Sequence, residues 1–169
     1  PCPCGFYGDS QRHCRCSPAQ IERYRAKLSG PLLDRIDMQV NVNRLPPNLL
    51  YETANQNRPP EDNSAAIRTR VLHAHRLQFE RARCLNANLD VSALRNREWF
   101  SEDALKWLGN ALEKLQLSTR VFHRLLRVAR TIADLETTAH ADQAGASKAE
   151  PVAIVHVKEA LSFRQLTGE

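Results

Sequence analysis

The sequence predicts a mainly α protein: a helical bundle over residues 64–169, preceded by a cysteine-rich end, a short helix and one orphan strand. Three observations predict it. Four of the 5 cysteines fall within the first 16 residues, where Pro1, Pro3, Gly5, Gly8 and Asp9 interrupt any period. Two Pro-Pro pairs and several Asn mark residues 43–63 as a linker, since segments this long without a period are uncommon inside a compact domain. Beyond it, apolar residues recur at helical spacing, and Leu, Ala and Arg dominate a chain with only 6 Gly. The organisation is therefore 1–42, a linker at 43–63, and a helical domain at 64–169.

Each element has a local cause. Ser17-Pro18 offers an N-cap followed by Pro at the first helical position, and Ala19 to Leu28 reads as a short helix with Ile21, Tyr24 and Leu28 on one face. Gly30-Pro31 stops it, and residues 31–36 form a turn or helical piece. Met38, Val40 and Val42 alternate with Gln39 and Asn41, a strand signal, although one strand cannot stand alone. Ser64 is placed to cap a helix to about Arg83, with Ile67, Val71, Ala74 and Leu77 towards the core. Ser92 and Ser101 open shorter helices, the second carrying Ala104, Leu105, Trp107, Leu108, Leu112 and Leu115. Ser118 caps the strongest helix, to about Leu135, in which Val121/Phe122, Leu125/Leu126, Val128/Ala129 and Ile132/Ala133 repeat. Residues 136–149 read as a loop. Glu150-Pro151 restarts a helix to about Leu166, although the β-branched stretch VAIVHV also suits a strand.

Composition narrows the function. With 42% hydrophobic and 25% charged residues, the chain has the makings of an ordinary globular core. No apolar run approaches the roughly 20 residues that span a bilayer, and the N-terminus is not built like a signal peptide. A cytoplasmic protein with no membrane partner is expected. The chain starts at Pro1 without Met and reads as a piece of something longer. A net charge of +5 suits nucleic acid or nucleotide phosphate as partner.

Two groups of residues carry chemistry. Cys2, Cys4, Cys14 and Cys16 form two close pairs, with His13 beside them; four thiolates complete a tetrahedral zinc shell, and no coordination position is left open for catalysis. The C-x-C spacing also fits reduced or casually oxidised thiols on a mobile end. In SGPLLDRID, Arg35 stands between Asp34 and Asp37. A rigid guanidinium there suits the phosphate of a neighbouring molecule, or a local ion pair with either carboxylate. In the helix after Ser118, Arg120, Arg124 and Arg127 share one face at about 100° per residue, opposite the apolar pairs, as an anion-binding stripe or a solvated basic face. Trp99, Phe100 and Trp107 are read as core. His73, His75, His123, His140 and His156 show no nucleophile–base spacing.

The strings PCPCGFYGD, CRCSPAQIERYRAKLSGPLLDRIDMQVNV, STRVFHRLLRVARTIADLE and VKEALSFRQL resemble magnesium-chelatase-like AAA+ proteins of the ComM/YifB group, over nearly the whole chain. The resemblance implies a ring-forming ATPase, a hexamer, working with ATP and Mg. It implies that residues 64–169 are the helical lid and that 1–42 is a remnant of the AAA+ base. It makes Arg35 the arginine finger and Arg120 the sensor 2 residue, with Arg124 beside it at the nucleotide. DNA helicase or branch-migration work in recombination or transformation is implied, with magnesium insertion into porphyrin as the superfamily's other trade. A Walker A sequence is missing from these residues, as is an apolar run ending in Asp-Glu, so the chain alone is expected neither to bind ATP tightly nor to hydrolyse it. The competing reading is a non-enzymatic, zinc-stabilised helical module that binds DNA or a protein.

Overall fold

The computed structural model describes residues 2–9, 11–40, 42, 63–140 and 150–164. They fall into two units, one containing Cys2–Ile36 and the other containing residues 63–164 together with Asp37–Gln39. The fold is mainly helical, with no strand among the described residues. None of the described helices is long and apolar enough to cross a membrane.

In the first unit, backbone turns do most of the organising. Gly5 and Gly8 sit at φ 81° and 82°, a region that side chains with a Cβ rarely enter, and each closes a tight turn. The Gly5 N–H donates to the Cys2 carbonyl at 3.1 Å and that of Asp9 to Phe6 at 3.1 Å. The Asp9 carboxylate accepts from the N–H groups of Gln11 and Arg12 at 2.8 and 3.0 Å. Helix α1 is Pro18–Arg25, opened by a complete capping box: Ser17 Oγ accepts from Gln20 N and Gln20 Oε1 accepts from Ser17 N. It ends short of the expected Leu28, in a turn closed from Leu28 N to Arg25 O at 3.0 Å. Helix α2 is the four-residue Gly30–Leu33. Neither helix buries a residue.

The strand expected at 38–42 does not form among its described residues, 38–40 and 42. Residues 38–40 have no regular structure; Gln39 N donates to the Phe163 carbonyl at 2.6 Å, and Val40 and Val42 are exposed. Alternation favours an extended backbone, but a strand also needs an edge to pair with. Of the linker expected at 43–63, everything before Asn63 lies outside the described residues, as do Asn41, residues 141–149 of the expected loop and the last two residues of the helix expected to reach Leu166.

The second unit is a helical bundle. Helix α3 is Ser64–Ala82, and its cap is Asn63 rather than Ser64: Asn63 Oδ1 accepts from Ala66 N at 2.8 Å. Asn caps as well as Ser does, and the side chain one residue earlier captured the free donor. Two short 3-10 turns follow, Asn86–Asn88 and Ala93–Arg95. Helix α4 is Glu102–Lys114, capped by Ser101 as expected. Helix α5 is Thr119–His140, capped by Ser118 and running five residues past the expected end into the supposed loop. Helix α6 is Ile154–Ser162. The β-branched stretch before it contributes one bridge only: Val152 pairs in parallel with Phe100, with Val152 N to Trp99 O at 2.8 Å and Ser101 N to Val152 O at 3.0 Å.

The core gathers Phe100, Ala104, Leu108, Val121, Leu125, Leu126, Ala129, Ala133, Val152, Val157 and Ala160, with Trp99 and Trp107 against it. The α5 periodicity points the expected residues inwards. Helix α3 meets expectation only in part: Ala74 is buried and Leu77 half-buried as expected, but Gln78 is buried too, while Ile67 and Val71 are 48% and 39% exposed. Only its C-terminal half meets the bundle, through a buried polar cluster that apolar periodicity does not register. Arg81 grips Asp134 with both terminal nitrogens at 2.8 and 2.7 Å, and Asn86 Nδ2 donates to the same carboxylate at 2.8 Å. Gln78 accepts from Asn86 N at 2.9 Å. Arg130, 1% exposed, donates to Asp134 at 3.1 Å and through Nη1 to the carbonyls of Trp99 and Glu150 at 3.2 and 2.7 Å. One carboxylate therefore ties α3, α5 and the turn after α3, while Arg130 clamps both sides of the Phe100–Val152 bridge.

Candidate metal centre and exposed arginines

The Gly5 turn reverses the chain directly after the first cysteine pair, and the Asp9 turn starts its return to the second. The outcome is a cluster of four thiols. Cys2 Sγ lies 3.4 Å from Cys4 Sγ and 3.7 Å from Cys14 Sγ, and Cys4 is 3.5 Å from Cys14. All four sulfurs, including that of Cys16, lie within 4.8 Å of one another. Four thiolates at about 2.3 Å from one tetrahedral ion stand about 3.8 Å apart, whereas a disulfide bond is about 2.0 Å. The spacing fits one shared metal ion. Cys2 is 4% exposed and the other three are partly buried, so solvent has little room to compete. The backbone N–H groups of Phe6 and Arg15 pull the Cys4 thiol down to about 6, whereas burial and the neighbouring thiols push Cys14 up to about 12 and Cys16 upwards, so four thiols this close do not all ionise without a cation between them. His13 is exposed and stands outside the quartet.

Arg35 is exposed just beyond α2, and its Nη1 donates to the Pro31 carbonyl at 2.9 Å. That bond bends the guanidinium back over its own turn. Asp37, the alternative local partner, is engaged elsewhere: it pairs with Arg124. The expected stripe of acid-free arginines on α5 is thus corrected. Arg124 is held by Asp37, and Arg127 donates through Nε to the Leu89 carbonyl at 3.0 Å. Both partners are remote in sequence, which is why helical spacing gave no hint of them. Arg120, in the first turn of α5, is exposed and has no hydrogen-bond or ionic partner among the described residues.

Sequence reasoning passed over two groups. The Arg130–Asp134 pair was visible as opposite charges four apart inside an apolar helix, a spacing that signals burial with compensation. Buried His156 has no nucleophile at catalytic spacing in the sequence. It caps its own helix instead: Nδ1 accepts from Ala153 N at 2.9 Å, and Nε2 meets Glu136. The proton therefore sits on Nε2.

Comparison with known proteins agrees with the resemblance. Residues 61–164 match the family described as magnesium chelatase, subunit ChlI C-terminal, and residues 1–50 match magnesium chelatase, subunit ChlI. The chain is 39% identical over 167 residues to the uncharacterized protein YifB of Escherichia coli and 36% identical over 166 residues to YifB of Salmonella typhimurium. It is 37% identical over 166 residues to the competence protein ComM of Haemophilus influenzae. Each of these matches covers 98% of this chain and 29% of the relative's length. Their agreement over both units, together with the lid-like helical fold, shows that the chain belongs to the magnesium-chelatase-like AAA+ family of the ComM and YifB type.

Proposed function

We propose that this chain supplies two phosphate-sensing arginines to a ring-forming AAA+ ATPase, Arg35 to the nucleotide of an adjacent subunit and Arg120 to that of its own. The observation that carries the reading is the division of labour along α5. Arg124 and Arg127 are satisfied inside the chain, whereas Arg120, which matches the family's sensor 2 position, stands exposed with no partner among the described residues. An unpaired guanidinium suits a phosphate better than a neutral partner, because it binds two oxygens in a fixed fork. Arg124 acts in this scheme as a holder of the Asp37 segment, beside the nucleotide rather than on it. ATP and Mg belong to the whole protein, which we take to be a hexameric cytoplasmic ring. We infer that its work is helicase or branch migration on DNA, supported by the likeness to a protein named for competence.

The cysteine quartet fits zinc best among common metals, since four thiolates in a tetrahedral arrangement suit it. Cys2, Cys4, Cys14 and Cys16 would hold the ion, whose contribution is structural: it fixes the loop of residues 5–13 where few apolar contacts do so.

The test is ATP turnover by the full-length protein. Arg35→Ala and Arg120→Ala are each expected to lower it by about a thousandfold, the scale on which an arginine finger acts. Mixing the two variants distinguishes the roles. A site is complete when its own subunit keeps Arg120 and its neighbour keeps Arg35, so random mixing restores about one interface in four. Wild-type turnover by either variant, or no recovery on mixing, refutes the assignment. The second reading, a zinc-stabilised module without a motor, is favoured by the basic, cysteine-rich first unit; normal function of the whole protein without ATP turnover would select it.

A further inference from the structure

Beside the cysteine quartet lies a cleft of about 450 Å³ lined by Cys4, Phe6, Arg12, His13 and Arg15. Its chemistry differs from that of an ordinary charged surface. Arg12 lies over the face of Phe6, 5.2 Å from the ring centre, and Arg25 lies over the next ring, Tyr7, at 4.8 Å. Tyr7 and Arg25 line a second cleft of about 460 Å³, with Pro18, Ile21, Glu22 and Ala26. Between Phe6 and Lys27 there are five Arg and Lys against two carboxylates. Asp9 is occupied in its turn, accepting from Gln11 and Arg12, and Glu22 faces the second cleft. Successive aromatic rings, each with a guanidinium beside it, are therefore mounted on a loop that the thiol cluster holds in place.

The geometry points to a binding site for single-stranded nucleic acid on this knuckle: Phe6 and Tyr7 stack successive bases, while Arg12 and Arg15 take backbone phosphates. This rests on the DNA reading above and assigns it a surface distinct from the nucleotide-facing arginines. Rings with a π face tolerate any base, and guanidinium groups follow any backbone, so the site selects single strands without reading sequence. Duplex DNA keeps its bases stacked internally and offers the rings nothing. An acidic peptide offers charge without flat rings, so it would engage only half of the arrangement.

The experiment measures binding of the zinc-loaded chain to a fluorescent thymidine oligonucleotide by anisotropy, at several salt concentrations, with zinc content assayed in parallel. Phe6→Leu keeps an apolar side chain but removes the π face; it is expected to weaken binding about tenfold. Arg12→Gln with Arg15→Gln changes only exposed side chains; it is expected to lower the salt slope by about 1.4, as for two lost single-strand phosphate contacts. Both variants should retain zinc. Unchanged binding in both overturns the cleft while leaving DNA as the partner through another surface. Equal affinity for polyglutamate of matched charge, or for duplex, also overturns it. No binding of the chain to single strands overturns the cleft; the motor reading is decided separately by turnover of Arg35→Ala and Arg120→Ala.

Discussion

The two units of this chain solve the same problem with different means. The helical unit buries a continuous apolar cluster around Leu108, Leu125 and Leu126 and seals it with a charged cluster around Asp134. Among the described residues of the cysteine-bearing unit only Cys2 is buried: α1 and α2 have no buried residue, and Leu28, Leu32 and Ile36 are 46%, 44% and 40% exposed. What holds its loop is four sulfurs and a few turns. A short segment with little apolar burial does not offset the entropy of ordering its backbone by hydrophobic contact alone, so a metal cross-link is the means its composition offers. Few side chains of the cysteine-bearing unit are used to fill a core, which leaves Tyr7 and Arg35 exposed.

The largest effect is expected from removing the zinc proposed for the four thiols. Zinc bound by four thiolates is worth on the order of 10 kcal/mol, more than the apolar contacts of the first unit can replace. A strong chelator, or Cys4→Ser with Cys14→Ser, is expected to abolish amide hydrogen-exchange protection over residues 2–17. The melting of the helical unit should stay where it was. Retained protection over 2–17 in fully metal-free protein would show that the turns suffice without the ion.

The next largest effect lies on the other side. Asp134 is fully buried and compensates Arg81 and Arg130 at once. Asp134→Ala leaves two guanidinium groups in the interior with no counter-charge, at a cost of about 3–5 kcal/mol. Chemical denaturation should show that loss in the helical unit, with zinc affinity untouched. Replacement costing under about 1 kcal/mol would mean that water reaches the cluster and that it is not the seal described here.

How much of this was legible in the sequence follows the same division. Apolar periodicity located α4 and α5 and named their inward residues apart from Leu115, which lies just past the end of α4 and is exposed, because a helix face against a core leaves a regular imprint. The cysteine spacing identified the quartet, since thiols gathered within 16 residues have few ways to avoid one another. Polar partnerships across distance were illegible. Nothing in the local pattern said that Asp37 belongs to Arg124, that Leu89 offers its carbonyl to Arg127, or that α3 enters the bundle through Gln78 and Arg81 rather than through Ile67 and Val71. The alternation at 38–42 was real but incomplete evidence, because strand formation depends on a partner edge that no local pattern encodes.

A weaker effect is expected where the two units share the same chemistry. Ser17 and Ser101 both cap helices, each accepting from the backbone N–H three residues on, at 3.3 and 3.2 Å. Substituting either by Ala removes a capping bond worth about 1 kcal/mol. In α4 that loss is spread over a helix anchored by Ala104 and Leu108, both with 0% exposure, so helicity should persist and the whole unit should melt a few degrees lower. In α1 there is no buried side chain to hold the helix once its capping box is gone. Ser17→Ala should therefore fray α1 itself, read as faster amide exchange over residues 19–25, without shifting the melting of the helical unit. Equal behaviour of the two substitutions would mean that α1 has packing support beyond the contacts described, and that the cysteine-bearing unit relies less on its thiol cluster.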